Sequence, residues 1–185
     1  MNRLLTILFL TSFLSSCNES KELFDNFKLI KGSELYGEGK YEEAKRIYLN
    51  VINSNAKIDS TTLSNIYTLI GNVYEKQDSL KMAEKYYLKS KKMDDTYWEI
   101  WFHLAVYYDK TNDLERAKTN YNQAVKLNPK NNSLLNNSAL FYFERGNNSQ
   151  ALDLINQSFE IDSLNETSIW LKSKILNKIK TETKN

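Results

Sequence analysis

The stretch that decides the fold is Trp101-Phe102-His103-Leu104-Ala105-Val106-Tyr107-Tyr108, followed by Ala117-x3-Tyr121, Ala124 and Pro129. Trp101, Leu104, Ala105 and Tyr108 recur every three or four residues, so they share one face of a helix. A polar break at Thr111 to Asp113 then leads into a second apolar series, with Asp113 at the position of an N-cap. Moving 34 residues towards the N-terminus gives Tyr67, Ile70, Gly71 and Tyr74, then Ala83, Tyr87 and Ser90. Moving 34 the other way gives Leu135, Ser138, Ala139 and Tyr142, then Ala151, Ile155 and Ser158. A further unit stands upstream at Gly32, Leu35, Ala44, Tyr48 and Val51, offset by 39 because about five residues near Ile58 to Thr62 are inserted. A fixed period of this length signals stacked supersecondary units, each burying its apolar face against the next.

The quoted positions resemble the tetratricopeptide repeat (TPR) signature, W-x2-L-G-x2-Y followed by A-x3-F and P. That resemblance implies an all-α, right-handed superhelical solenoid of about four helix-turn-helix units, at 25–58, 64–97, 98–131 and 132–165, plus a C-terminal capping helix and basic tail at 166–185. Gly71, Ala105 and Ala139 fall where paired helices approach closely. Second helices are expected to start at Asp78 or Ser79, at Asp113, and at Asn148 or Ser149. In the last helix, Ile169, Leu176 and Ile179 are expected to cover the fourth unit, leaving Lys172, Lys174, Lys178 and Lys180 to water.

Composition is consistent with such a fold. The chain has 185 residues, 41% hydrophobic and 12% aromatic, with one Pro and five Gly. That is one domain's worth of chain with enough apolar material for a core. One Cys and one His exclude a disulfide framework and any zinc site built from those residues alone. A net charge of +2 gives no electrostatic case for nucleic acid.

The N-terminus reads as an address. Arg3 precedes an eleven-residue, mostly apolar run, Leu4 to Leu14, too short for the roughly 20 residues that span a bilayer. It suits a secretory signal peptide of residues 1–16. Leu14-Ser15-Ser16-Cys17 resembles the bacterial lipobox, and Cys17 is the only cysteine. The resemblance implies cleavage before Cys17 and its acylation. Multiple acyl chains anchor stably, where one binds only marginally. Residues 17–24 form a short tether. The polar stretch Asn18 to Glu22 spans less than about 20 Å at ~3.6 Å per residue, so the body is expected to lie near the headgroups. Asn18 is not the Asp that resembles an inner-membrane retention signal, which favours the outer membrane.

The resemblance also implies a concave face lined by first helices. One residue past the core stripe, about 100° around the helix, runs a second stripe: Leu29, Ser33 and Tyr36; Thr68, Asn72 and Glu75; Phe102, Val106 and Asp109; Asn136, Leu140 and Phe143. Its apolar members rimmed by Asn, Thr and acid suggest a groove for a protein or peptide partner. Relatives that clamp a C-terminal carboxylate use Lys, Asn and Arg. Glu99 and His103 stand where those cations would be required, so no such clamp is expected. The pairs Glu42-Glu43 and Asp94-Asp95 diverge on a helix instead of meeting across a cleft. No phosphate loop, nucleophile elbow or metal-ligand pair occurs. The expectation is a non-catalytic envelope scaffold or adaptor, needing no cofactor, metal or nucleic acid. Two alternatives stay open: a structural module that self-associates, and an accessory ligand-binding subunit of an envelope enzyme complex, marked by a polar pocket at His103, Asp109 and Glu75.

Overall fold

The computed structural model describes residues 26–54 and 58–182. The leader, Cys17 and the tether lie outside the described residues. What is described is helical, with no strand: α1 (26–37), α2 (Tyr41–Ile52), α3 (Ser60–Lys76), α4 (Leu80–Met93), α5 (Trp98–Lys110), α6 (Leu114–Leu127), α7 (Asn132–Glu144), α8 (Asn148–Ile161) and α9 (Glu166–Glu182). Two compact units divide the chain between Asp94 and Asp95. The first holds the hairpins α1–α2 and α3–α4; the second holds α5–α6 and α7–α8, with α9 packed on α8 and α7.

All four hairpins turn in the same way. The second residue after the first helix takes a left-handed conformation at Gly39 (φ 77°), Asp78 (φ 56°), Asn112 (φ 60°) and Gly146 (φ 76°). Around each, two backbone N–H groups return to the helix end: Gly39 to Tyr36 and Lys40 to Leu35, with the same pair at Asp78/Ser79, Asn112/Asp113 and Gly146/Asn147. This double closure satisfies carbonyls that a helix end otherwise leaves bare. Glycine pays nothing for positive φ, and Asp and Asn are the L residues that tolerate it best. The next residue is the N-cap of the second helix: Lys40, Ser79, Asp113 and Asn147. Asp113 accepts from the Arg116 N–H and Asn147 from the Gln150 N–H. The last second helix is therefore capped by Asn147, one residue before the expected Asn148 or Ser149, because Gly146 takes the left-handed position. Asn148 instead is buried, and its Nδ2 donates to Glu182 of α9 at 2.8 Å.

Close approach of paired helices is set by the small residue of the repeat. Gly32 packs under Tyr48, and Gly71 under Tyr87; a β-carbon at either would collide with the ring. Ala105 and Ala139 occupy the same register and are fully buried. In the first unit the core includes Leu35, Ala44, Tyr48, Val51, Ile66, Ile70, Val73 and Tyr87. In the second it includes Ile100, Leu104, Tyr121, Leu135, Phe141, Ile155, Leu171 and Ile175. The inserted residues near Ile58 lengthen a helix: α3 has 17 residues against 13 in α5 and α7. Asp59 caps this extra turn, accepting from the Thr62 N–H at 2.9 Å and from its hydroxyl at 2.6 Å.

The last helix differs from expectation. α9 buries Ser168, Leu171 and Ile175, while Ile169 and Leu176 are exposed and Ile179 is half-buried. Ile169 and Leu176 continue the series of residues that faces the following helix of a pair. The face that docks on α7 and α8 is the one a first helix turns towards the preceding pair.

Candidate functional site

In the first unit, the second stripe begins with Leu29 and Tyr36, both half-buried against the core. Tyr36 meets Tyr41 edge-on at 5.4 Å between centroids. Ser33 donates to the carbonyl of Leu29 one turn back. Thr68 is buried, with its hydroxyl 2.8 Å from that of Ser90 and donating to the Ser64 carbonyl at 3.2 Å. It belongs to the contact between α3 and α4, and is no surface residue. Asn72 and Glu75 remain partly accessible. Both face the Tyr87 hydroxyl, at 2.9 Å to Asn72 Oδ1 and 2.8 Å to Glu75 Oε2, so one proton is shared between two acceptors. Burial, with the Glu75 carboxylate beside it, pushes the Tyr87 phenol far above its ordinary range.

The second unit brings together more of the predicted surface. The Phe102 ring lies 6.2 Å from Tyr121, edge-on, 6.3 Å from Trp98 and 5.8 Å from His103. Val106, Leu140 and Phe143 are half-buried. Asp109, at the end of α5, forms an ion pair with Arg145, just past the end of α7. Arg145 also donates to the Phe141 carbonyl at 2.9 Å and lies 4.1 Å over the Phe141 ring. Asn136 is buried: Asn136 Oδ1 accepts from Ser158 at 2.8 Å and from Ser168 at 3.0 Å, and its Nδ2 donates to Asn165. Like Thr68, it is a packing residue where a groove residue was expected.

Thr68, Phe102 and Asn136 hold one repeat position, and Ser90, Ala124 and Ser158 hold another. Polar stands with polar in the second and fourth hairpins, and apolar with apolar in the third. This pairing across a hairpin is the signal that would have separated Thr68 and Asn136 from the surface stripe.

Sequence reasoning missed a tyrosine cluster in the first unit. Tyr74 stacks on Tyr86 at 5.4 Å, and Tyr67 lies 6.1 Å from Tyr86. Lys45 sits 4.7 Å over Tyr74, and Lys89 4.9 Å over Tyr86, both in cation–π range. Tyr67 and Tyr74 match core positions of the repeat, which is why they read as interior; here both are only half-buried. Beside the cluster, an open recess of about 690 Å³ is lined by Glu42, Glu43, Lys45, Arg46, Leu49 and Asn50. Glu99 is half-buried, its Oε2 meets no hydrogen-bond donor among the described residues, and burial raises its pKa. Among the described residues no group of three or more His, Cys, Asp or Glu could hold a metal ion, and no helix is long and apolar enough to cross a membrane.

Paired helices with a small residue at the crossing, joined by one recurrent turn, are matched by a known sequence family. The tetratricopeptide repeat model matches residues 64–97 and 99–131. These two segments are tetratricopeptide repeats. The hairpins before and after share the turn, the small residue and the spacing of the matched TPR segments. Human protein O-mannosyl-transferase TMTC3 is 27% identical over 75% of this chain, and the chain spans only 17% of its length. Among solved structures, Pseudomonas aeruginosa pilF superposes with a TM-score of 0.75 at 14% identity, over 88% of this chain and 72% of that one. The first TPR of Spaghetti (RPAP3), bound to the HSP90 peptide SRMEEVD, superposes with a TM-score of 0.60 at 19% identity, over 64% of this chain and 94% of that one. At these identities the structures share the TPR fold.

Proposed function

We infer that this protein is a non-catalytic adaptor, held at a bacterial envelope membrane by lipid on Cys17, which binds a polypeptide along the first helices of its TPR hairpins. TPR folds commonly bind proteins, and the Spaghetti domain carries a peptide. The observation that carries the reading is in the second unit. Phe102, Val106, Leu140 and Phe143 are large apolar side chains on α5 and α7 that stay partly open to solvent. The Asp109–Arg145 pair stands at the C-terminal ends of those helices and offers a polar rim. An apolar strip with a polar edge suits an amphipathic or extended peptide. In the first unit, Tyr36, Asn72 and Glu75 offer a more polar surface. The short apolar leader, Leu14-Ser15-Ser16-Cys17 and Asn18 support lipidation and the outer membrane. The work fits assembly or recruitment in the envelope.

The test is crosslinking in the native cell followed by pulldown. The double variant Phe102→Ala/Phe143→Ala is expected to lose the partner while its helical circular dichroism stays near wild type. Cys17→Ser is expected to leave the membrane fraction and lose incorporation of a palmitate analogue. Undiminished capture by the double variant would sink the groove, and a membrane-bound, unlabelled Cys17→Ser would sink the anchor.

A further inference from the structure

The last helix repeats the first half of a hairpin, and among the described residues no second half stands beside it. Ile169, Trp170, Ser173 and Leu176 stand 34 residues after Leu135, Asn136, Ala139 and Tyr142. In α7 those four are 0%, 5%, 0% and 5% exposed; in α9, Ile169, Trp170 and Leu176 are 46%, 53% and 39% exposed, and Ser173 is exposed as well. Earlier hairpins show what covers this face. Gly71, at the position of Ser173, takes the ring of Tyr87 from the next helix. Thr68 and Asn136, at the position of Trp170, take Ser90 and Ser158 from the next helix. Phe102, also at that position, meets Tyr121.

We propose that the outer face of α9 is a docking site for an amphipathic helix from a partner protein, which packs there as the second helix of a hairpin packs on the first. This site is separate from the surface on α5 and α7. Its occupant is specified by the four helices that do this job within the chain: Ala44-x3-Tyr48, Ala83-x3-Tyr87, Ala117-x3-Tyr121 and Ala151-x3-Ile155. A small residue, four positions before a large apolar one, lets the two backbones close on Ser173. Three residues later the second helix carries Val51, Ser90, Ala124 or Ser158; opposite the indole of Trp170 the small ones fit, as Ala124 holds that position in the hairpin that carries Phe102. Charge adds a second requirement. Lys172 and Lys174 flank the face on either side, and each lies over an aromatic ring, Phe159 at 4.3 Å and Trp170 at 5.8 Å. Lys180 extends the face one turn past Leu176. An acidic helix complements this rim, whereas two copies of α9 face to face would oppose like charges.

The chain contains a suitable probe. The sequence of α8, residues 148–161, has Ala151, Ile155 and Ser158 in register, and its only charges are Asp153 and Glu160. A fluorescein-labelled, helix-stapled peptide of this sequence is titrated by anisotropy into the purified full chain. Expected is saturable binding that weakens at least about tenfold with Leu176→Glu or with Trp170→Ala. Both protein variants change exposed residues, and their melting curves should stay within a few degrees of wild type. The idea is overturned by absence of saturation at millimolar peptide, or by equal binding to both variants. It is equally overturned if sedimentation shows a dimer that Leu176→Glu dissolves, or if anionic phosphatidylglycerol vesicles bind through the same residues while the peptide does not.

Discussion

The ring of Tyr87 fills the space that a side chain on Gly71 would need. A β-carbon at Gly71 lies 2.6 Å from Cδ1 of that ring, which is itself fully buried. Alanine is the better helix former by about 1 kcal/mol, yet overpacking a filled contact costs about 1–3 kcal/mol. Gly71→Ala is therefore expected to destabilise the chain in urea unfolding. The double variant Gly71→Ala/Tyr87→Ile reproduces the Ala139–Ile155 pair of the fourth hairpin. It should be more stable than the two single effects added together. Simple additivity would mean that the two residues do not meet.

The recurrent turn makes a prediction of opposite sign at two equivalent places. Asn112 occupies the left-handed position at φ 60°, so Asn112→Gly should stabilise by a few tenths of a kcal/mol. Gly146 holds the same position at φ 76°, and Gly146→Ala should cost about 1 kcal/mol. Chemical denaturation of the two variants side by side measures both signs.

Asn136 supports the docking of α9. Removing its side chain leaves the hydroxyls of Ser158 and Ser168 without their shared acceptor in a buried site. Asn136→Ala should cost about 2 kcal/mol and speed amide exchange in α9 ahead of α7. Asn137, exposed and bonded to the Ser133 carbonyl one turn back, is the control: Asn137→Ala should be nearly neutral.

The Asp109–Arg145 pair joins two hairpins of the second unit. Asp109→Ala should cost about 1 kcal/mol, less at high salt because the pair is partly exposed. Arg145→Ala should cost more, since it also removes the bond to the Phe141 carbonyl and the stacking on the Phe141 ring. Equal losses would assign the whole effect to charge.

Glu99 predicts a pH dependence. Burial raises its carboxyl above the ordinary value of 4.5, so the folded state holds the proton more tightly than the unfolded chain. Its contribution is fully present below the ordinary value and is lost as pH rises through the raised one. Glu99→Gln, neutral at every pH, should melt higher than wild type near neutrality and should lose that part of the pH slope. Melting temperature measured from about pH 4 to 8 tests this.

Much of the fold was legible because a repeat writes its pattern several times. Gly71, Ala105 and Ala139 marked the close crossings, and the break at 111–113 and the helix start expected at Asp78 or Ser79 marked turns. The surface was less legible. Thr68 and Asn136 are polar residues one step past the core stripe, which on an isolated helix reads as exposed. They are buried because a first helix is contacted on two sides, by its own partner and by the neighbouring hairpin, so the covered arc is wider than one stripe. Tyr67 and Tyr74 err the other way: both carry core spacing, yet Tyr86 and the lysines leave them half-open.

The amino-acid order alone determined that there are paired helices, where each pair turns, and which small residues let them close, since these follow from local propensity and a 34-residue period. Only the tertiary structure decided which flank of each helix is covered. That depends on what stands beside it: Asn136 of α7 is buried against Ser158 of α8, whereas its equivalent on α9, Trp170, is exposed together with Ile169 and Leu176.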